Sequence, residues 1–100
     1  MNLGRAIALC RKQRGLKQSE LAELSNLSVS YISLLERNDR KDPTLSTVQK
    51  ISEALQVPSG ILFFLAADAT ELSGLSSELQ EKLSFAALQL LNVAPAKTLL

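Results

Sequence analysis

The side chains best suited to chemistry lie between residues 17 and 41, where hydroxyl, amide and cationic groups alternate with apolar ones. Such groups donate hydrogen bonds and attract anions. Histidine is absent and Cys10 is the only cysteine, which excludes the usual zinc sites, imidazole-dependent nucleophiles and a disulfide within the chain. The sparse carboxylates have no convincing partner for an acid–base pair. We therefore expect no enzymatic activity, no metal and no cofactor.

Residues 18–35 have the spacing of two short helices joined by a tight turn. Helices joined in this way cross at roughly 90–120°, which requires apolar contacts at set points, a small residue at the crossing and a tolerant turn. Ala22 is the small residue, and Asn26 tolerates the left-handed conformation that such a turn needs. The apolar contacts are Leu21, Leu27, Ile32 and Leu35. The pattern predicts a helix-turn-helix whose recognition helix runs from Ser28 to Arg37.

Three runs of the sequence, residues 11–22, 27–38 and 42–57, together make a more specific signal. Through them the chain resembles the phage Cro and repressor-like (XRE-type) helix-turn-helix family over residues 3–65. The resemblance implies an all-α, five-helix lambda-repressor-like domain that binds double-stranded DNA, normally as a homodimer on a palindromic operator.

A recognition helix reads base edges with residues near its N-terminus. The candidates for base contacts are Val29, Ser30, Tyr31, Ser33 and Leu34. The resemblance assigns base reading to the positions of Val29, Ser30 and Leu34, and for Tyr31 it implies contact with either a base or a phosphate. Because apolar side chains contact the thymine methyl and cannot make bidentate hydrogen bonds, we expect thymine-rich or shape-based readout. The alternative is that Leu34 is buried against a neighbouring helix or a partner.

Phosphate contacts are expected from residues around the helix pair and the following loop. The resemblance implies this role for Gln18 and Ser28, and the clustering of basic residues adds four more candidates. These are Lys17, Arg37, Arg40 and Lys41. Any one of them alone is equally well explained as a solvated side chain.

The resemblance also implies a partly buried ion pair between Arg11 and Glu36. Such a pair would join the end of the first helix to the end of the recognition helix. Its role is structural rather than catalytic.

The elements that must position these residues are all helical, because turn residues are few and β-branched alternation is absent. We predict helices over about 2–13, 17–24, 28–37, 44–55, 58–65 and 76–92, the last amphipathic and ended by Ala94, Pro95 and Ala96. Cys10 falls in an apolar stretch and is interpreted as a small buried hydrophobe. The small, polar residues 67–74 suggest a boundary between a DNA-binding domain, 1–66, and a C-terminal helix, 67–100.

Two apolar sets lie outside the predicted DNA-reading surface. Residues 61–65 are hydrophobic all round, and the last helix carries a leucine face. The candidates for a dimer or partner interface are Phe63, Phe64, Leu79, Leu83 and Leu90. The leucine face could pack within the chain, pair with its twin or bind a protein effector, and the phenylalanines could equally be covered by the last helix.

The net charge of +1 conceals an uneven distribution. Residues 1–50 contain nine Lys or Arg and five Asp or Glu, whereas residues 51–100 contain two and five. No apolar run reaches the roughly 18–20 residues of a membrane span, and no apolar leader is present, so we expect a cytoplasmic protein. The leading hypothesis is a dimeric transcriptional repressor of prophage or mobile-element type. The alternative is an antitoxin or accessory protein whose C-terminal helix binds a protein and whose DNA binding is autoregulatory.

Overall fold

The computed structural model describes residues 1–40 and 42–92, and within them it contains seven helices and no strand. The helices are α1 (Leu3–Gln13), α2 (Gln18–Ser25), α3 (Val29–Glu36), α4 (Leu45–Leu55), α5 (Ser59–Ala66), α6 (Ala69–Leu72) and α7 (Ser77–Leu91). The predicted all-α fold is confirmed. The helix ends agree with the sequence prediction to within about one residue, apart from α6.

Local hydrogen bonds explain where several helices begin. The hydroxyls of Ser28, Thr44 and Ser76 each accept from a backbone N–H three residues later, at 3.1 Å in every case. These caps satisfy donors that have no partner inside the helix. At the start of α2 the cap residue is Lys17, which cannot accept. There the Glu20 carboxylate accepts from the Lys17 N–H instead, at 2.8 Å.

Helix α6 is absent from the sequence prediction, which placed a domain boundary over residues 67–74. Asp68 caps this single turn by accepting from the Glu71 N–H at 2.8 Å, and Glu71 accepts in return from the Asp68 N–H at 3.0 Å. The Met1 ammonium lies 2.8 Å from the Glu71 carboxylate. A turn of four residues has no repeating apolar face, so periodicity could not reveal it.

The core forms where α1 packs against α5, α3 and α4 and where α2 packs against α3 and α4. Its fully buried aliphatic residues come from every helix between α1 and α5. Helix α7 packs on α5 and adds Leu91 to this core, and Ala87 of the same helix is also buried. No helix in the described parts of the chain is long and apolar enough to cross a membrane.

Candidate nucleic-acid interface

The turn between α2 and α3 sets the orientation of the predicted recognition helix. Asn26 is left-handed, with φ of 58°, as predicted from its side chain. The Leu27 N–H returns to the Ala22 carbonyl at 2.9 Å. Ile32 and Leu35 are completely buried, so α3 presents its other side to solvent. The position of α3 is therefore defined by its core contacts and does not depend on DNA.

The solvent side of α3 carries an open depression with a volume of about 420 Å³. It is lined by Gln18, Val29, Ser30, Ser33, Leu34 and Arg37. The structure thus brings four of the five predicted base-contact residues together on one surface. The fifth, Tyr31, packs partly against the core instead. Leu34 is half-buried and still lines the depression.

Arg11 and Glu36 join α1 to the end of α3. The guanidinium donates two hydrogen bonds to the carboxylate, at 2.7 and 2.9 Å, and a third to the Leu16 carbonyl at 2.9 Å. The two side chains are only 12% and 7% exposed. Gln18 donates its amide to the same carboxylate at 2.9 Å. The first residue of α2 is therefore tied to the last residue of α3.

The predicted phosphate-contact residues lie around this network. Ser28 is exposed, and because its hydroxyl accepts the cap hydrogen bond it keeps its own proton for donation. Lys17 and Arg40 are exposed. Arg37 is also exposed, but its guanidinium lies 3.1 Å from the Asp39 carboxylate. The last candidate, Lys41, lies outside the described residues.

Arg14 is a buried cation whose role the sequence analysis did not foresee. It has no exposed surface, and it donates to the carbonyls of Leu55 at 2.8 Å and Gln56 at 2.9 Å. These carbonyls are at the C-terminal end of α4, where the helix dipole favours a positive charge. Arg14 therefore fastens α1 to α4. Its Nη1 has no hydrogen-bond partner among the described residues.

Cys10 is fully buried, in keeping with its interpretation as a small hydrophobe. Burial raises the pKa of its thiol, against a smaller opposing effect of the nearby Arg14 cation. Within residues 1–40 and 42–92 no cluster of three or more metal-ligating side chains occurs.

The predicted interface residues are less exposed than the sequence suggested. Phe63 and Phe64 are half-buried, and Phe63 packs on the core. Leu83 and Leu90 are half-buried as well, while Leu79 is 42% exposed. The most exposed apolar side chains of α7 are Phe85 and Leu88, at 63% and 60%. Sequence reasoning passed over these two because it followed the longer leucine repeat.

Comparison with known proteins agrees with this arrangement. Residues 7–62 match the family model of a helix-turn-helix domain. The chain is 46% identical over 57 residues to an immunity repressor protein of Bacillus phage phi105, which is 57% of this chain and 39% of that protein.

Two further relatives match over a similar length of the chain. One is the transcriptional regulator SinR of Bacillus subtilis strain 168, 38% identical over 55% of this chain and 50% of its own length. The other is the uncharacterized transcriptional regulator y4dJ of Sinorhizobium fredii strain NBRC 101917 / NGR234, 38% identical over 55% of this chain and 70% of its own. The match spans only 39% and 50% of the first two relatives.

Proposed function

Since the chain belongs to the XRE-type helix-turn-helix family, we propose that it is a sequence-specific DNA-binding repressor of transcription. The observation that carries the proposal is the solvent side of α3, where Val29, Ser30, Ser33 and Leu34 line one depression on a helix held in place by its core contacts. The relative named as an immunity repressor supports repression and a prophage or mobile-element origin.

In this proposal α3 enters the major groove of DNA with its solvent side toward the bases. The hydroxyls of Ser30 and Ser33 hydrogen-bond to base edges, and Val29 and Leu34 contact thymine methyl groups. Tyr31 stands at the margin of this contact, since its ring packs partly on the core.

Phosphates on either side of the groove are held by groups at the helix N-termini. Ser28 donates its hydroxyl to a phosphate. The first backbone N–H groups of α2 have no partner inside the helix, and they donate to a second phosphate of the DNA. The Gln18 amide donates one N–H to Glu36 at 2.9 Å, and its second N–H donates to a phosphate. Lys17, Arg37, Arg40 and Lys41 add electrostatic attraction.

Repression follows from occupying the operator. Two copies of the chain bind the two halves of a palindrome, and the half-sites lie about 34 Å apart if the recognition helices enter successive turns of the major groove. No small-molecule domain is needed for this mode of action.

A second candidate function is favoured by the exposed apolar pair on α7. Phe85 and Leu88 could hold a protein partner, as in an antitoxin or accessory protein that binds DNA only to regulate its own gene. Repression measured with and without a partner protein distinguishes the two functions. A purified chain that represses from its operator without any other protein supports the first, and a chain that represses only when a partner occupies α7 supports the second.

The proposed function is tested by selecting bound duplexes from a random DNA pool. We expect a palindromic site with thymines at the positions nearest α3. Replacing each of these thymines by uracil removes only the methyl group, and should weaken binding about three- to tenfold at the contacted positions, the value of roughly one buried methyl group.

Leu34→Ala is the matched change on the protein. It should abolish the difference between thymine and uracil at one position while leaving the melting temperature within a few degrees. A chain that recovers no consensus from the pool would refute sequence-specific binding. A consensus in which uracil binds as well as thymine would refute the methyl contact alone.

A further inference from the structure

The depression on α3 is lined by two apolar side chains and two hydroxyl groups in a regular arrangement. Val29 lies four positions before Ser33, and Ser30 lies four positions before Leu34. Residues four apart on a helix are neighbours on its surface. Each apolar side chain therefore has a hydroxyl group beside it, one helical turn away.

The hydroxyls of Ser30 and Ser33 are available to a ligand. Neither forms a side-chain hydrogen bond with another residue in the described part of the chain. Ser30 is exposed and Ser33 is half-buried. A serine hydroxyl both donates and accepts hydrogen bonds, and it rotates to suit its partner. These two side chains can therefore meet either a donor or an acceptor on the edge of a base.

The lining residues that could make bidentate contacts with a purine are held by carboxylates. Gln18 donates one N–H to Glu36 at 2.9 Å, and Arg37 donates to Asp39 at 3.1 Å. Arg37 also follows the last residue of α3, whereas a recognition helix reads bases near its N-terminus. Both residues fit the phosphate contacts proposed for them. The groups left to face the bases are the two hydroxyls and the two apolar side chains.

A pyrimidine presents its C5 substituent in the major groove next to the group on its C4 atom. In thymine these are a methyl group and the O4 acceptor, and in 5-methylcytosine they are the same methyl group and the N4 amino donor. An apolar side chain contacts the methyl group of either base. A neighbouring hydroxyl donates to O4 or accepts from N4, so it does not distinguish the two bases. Cytosine and uracil lack the methyl group.

We propose that the α3 surface reads the C5-methyl group of pyrimidines, so that 5-methylcytosine can replace thymine in the operator. Val29 and Leu34 each contact one methyl group, at different positions of the half-site. Methyl-dependent binding rests on the proposed function, because it uses the same contacts with DNA. An operator with cytosines at these positions is bound more tightly once their C5 atoms are methylated. The chain thereby distinguishes modified from unmodified DNA.

The contribution of the methyl group has to be measured within one type of base pair. Exchanging a thymine–adenine pair for a 5-methylcytosine–guanine pair also changes the purine and the local shape of the duplex. The informative comparisons are therefore 5-methylcytosine against cytosine, and thymine against uracil. In each comparison the two duplexes differ by a single methyl group.

The first test is direct binding of the full chain to the duplex selected from the random pool, with one pyrimidine changed at a time. At a contacted position we expect 5-methylcytosine to bind about three- to tenfold more tightly than cytosine, and thymine to exceed uracil by a similar factor. Methylation of a cytosine at any other position should leave the affinity unchanged. If 5-methylcytosine binds no better than cytosine where thymine binds better than uracil, the inference is wrong and the proposed function stands.

Two substitutions assign the methyl contacts to side chains. Val29→Ala and Leu34→Ala should each abolish both methyl effects at one position and leave the other position unchanged. Val29 is 46% exposed, so its truncation leaves the core intact and still provides the test if Leu34→Ala unfolds. Leu24→Ala is the matched control, because Leu24 is 51% exposed and lines the groove that contains Lys50 and Glu53. Methyl effects that survive in both the Val29 and the Leu34 variants would overturn the inference.

A second selection separates failure of methyl reading from failure of DNA recognition. One random pool contains cytosine, and the other contains 5-methylcytosine at every cytosine position. We expect thymine alone at the contacted positions from the first pool, and thymine or 5-methylcytosine from the second. Thymine alone from both pools would overturn the inference and leave sequence-specific binding intact. The absence of a consensus from either pool would refute both.

Discussion

At the scale of single residues, Glu36 organises the predicted DNA-reading surface although it lies behind it. Its carboxylate accepts two hydrogen bonds from Arg11 and one from Gln18. The contact with Glu36 uses one N–H of the Gln18 amide, and the second N–H of the same group can donate to a phosphate.

Removing the Glu36 carboxylate should destabilise the whole chain. Glu36→Ala leaves the Arg11 guanidinium 12% exposed and without its carboxylate partner. We expect the free energy of unfolding to fall by about 3 kcal/mol, which lowers the melting temperature by about 12 °C or more. Thermal unfolding followed by circular dichroism measures the change.

The control for this prediction is the exposed pair of Arg37 and Asp39, with side chains 61% and 57% exposed. Asp39→Ala should cost less than about 1 kcal/mol. If Glu36→Ala and Asp39→Ala lower the free energy of unfolding equally, the Arg11–Glu36 pair does not hold α3 in place.

Cys10 should be nearly unreactive in the folded chain. Burial raises the pKa of its thiol above the usual 9.0, so the thiolate is scarce at neutral pH and the sulfur is inaccessible. Because the pKa of the thiol is raised in the folded state, ionisation of Cys10 lowers the free energy of unfolding as the pH rises. This loss begins only above pH 9.0. We expect thiol-specific reagents at pH 8 to react only as fast as the chain unfolds. Rapid labelling without denaturant, at the rate of a small free thiol, would contradict the burial of Cys10.

At the scale of elements, the close approach of α1 to the end of α3 explains the glycine at position 4. A Cβ at Gly4 would lie 2.0 Å from the Leu35 carbonyl oxygen and 3.2 Å from that of Glu36. Both obstacles are backbone atoms, so a side-chain rotation cannot relieve the contact. The recognition helix therefore depends on a residue in the first turn of α1.

Gly4→Ala should force α1 away from α3 and cost about 1–3 kcal/mol or more. It should also weaken operator binding, because the displacement reaches α3. Gly60 is the control, since a Cβ on this helical residue meets no atom within 4 Å. Gly60→Ala should stabilise the chain by about 0.5–1 kcal/mol. Chemical denaturation measures both, and the idea fails if the two substitutions change stability in the same direction.

At the scale of the whole molecule, the basic excess of residues 1–50 is only partly available to DNA. Arg11 is paired with Glu36, and Arg14 is buried at the end of α4. Lys50 lines a groove on another side with Glu20, Glu23 and Glu53. The charge that remains around α3 comes from few residues.

This distribution predicts how binding depends on salt. Each phosphate contact contributes about 0.9 to the slope of log affinity against log salt concentration. Arg40→Ala should lower the slope by about 1 with the same loss on every DNA sequence. Lys50→Ala should leave the slope unchanged, because Lys50 faces the acidic groove. Titrations of the selected duplex at several salt concentrations test this, and an equal effect of both substitutions would remove Arg40 from the interface.

The sequence alone determined the features that depend on neighbours along the chain. The cap at Ser28, the left-handed turn at Asn26 and the bounds of the longer helices follow from side chains within four residues of each other. Buried positions such as Ile32 and Leu35 follow from helical periodicity in the same way. The grouping of Val29, Ser30, Ser33 and Leu34 on one surface could also be predicted, because these residues share one helix.

The tertiary structure decided what depends on residues distant in sequence. Arg14 became a buried cap because the C-terminal end of α4, about 40 positions later, lies beside it. Gly4 is needed because the end of α3 passes within van der Waals distance. Helix α7 carries two apolar stripes, and only its packing on α5 decided which was buried and which left Phe85 and Leu88 in water. Periodicity along a chain shows that a face is apolar, but burial also depends on whether another element lies within contact distance of that face.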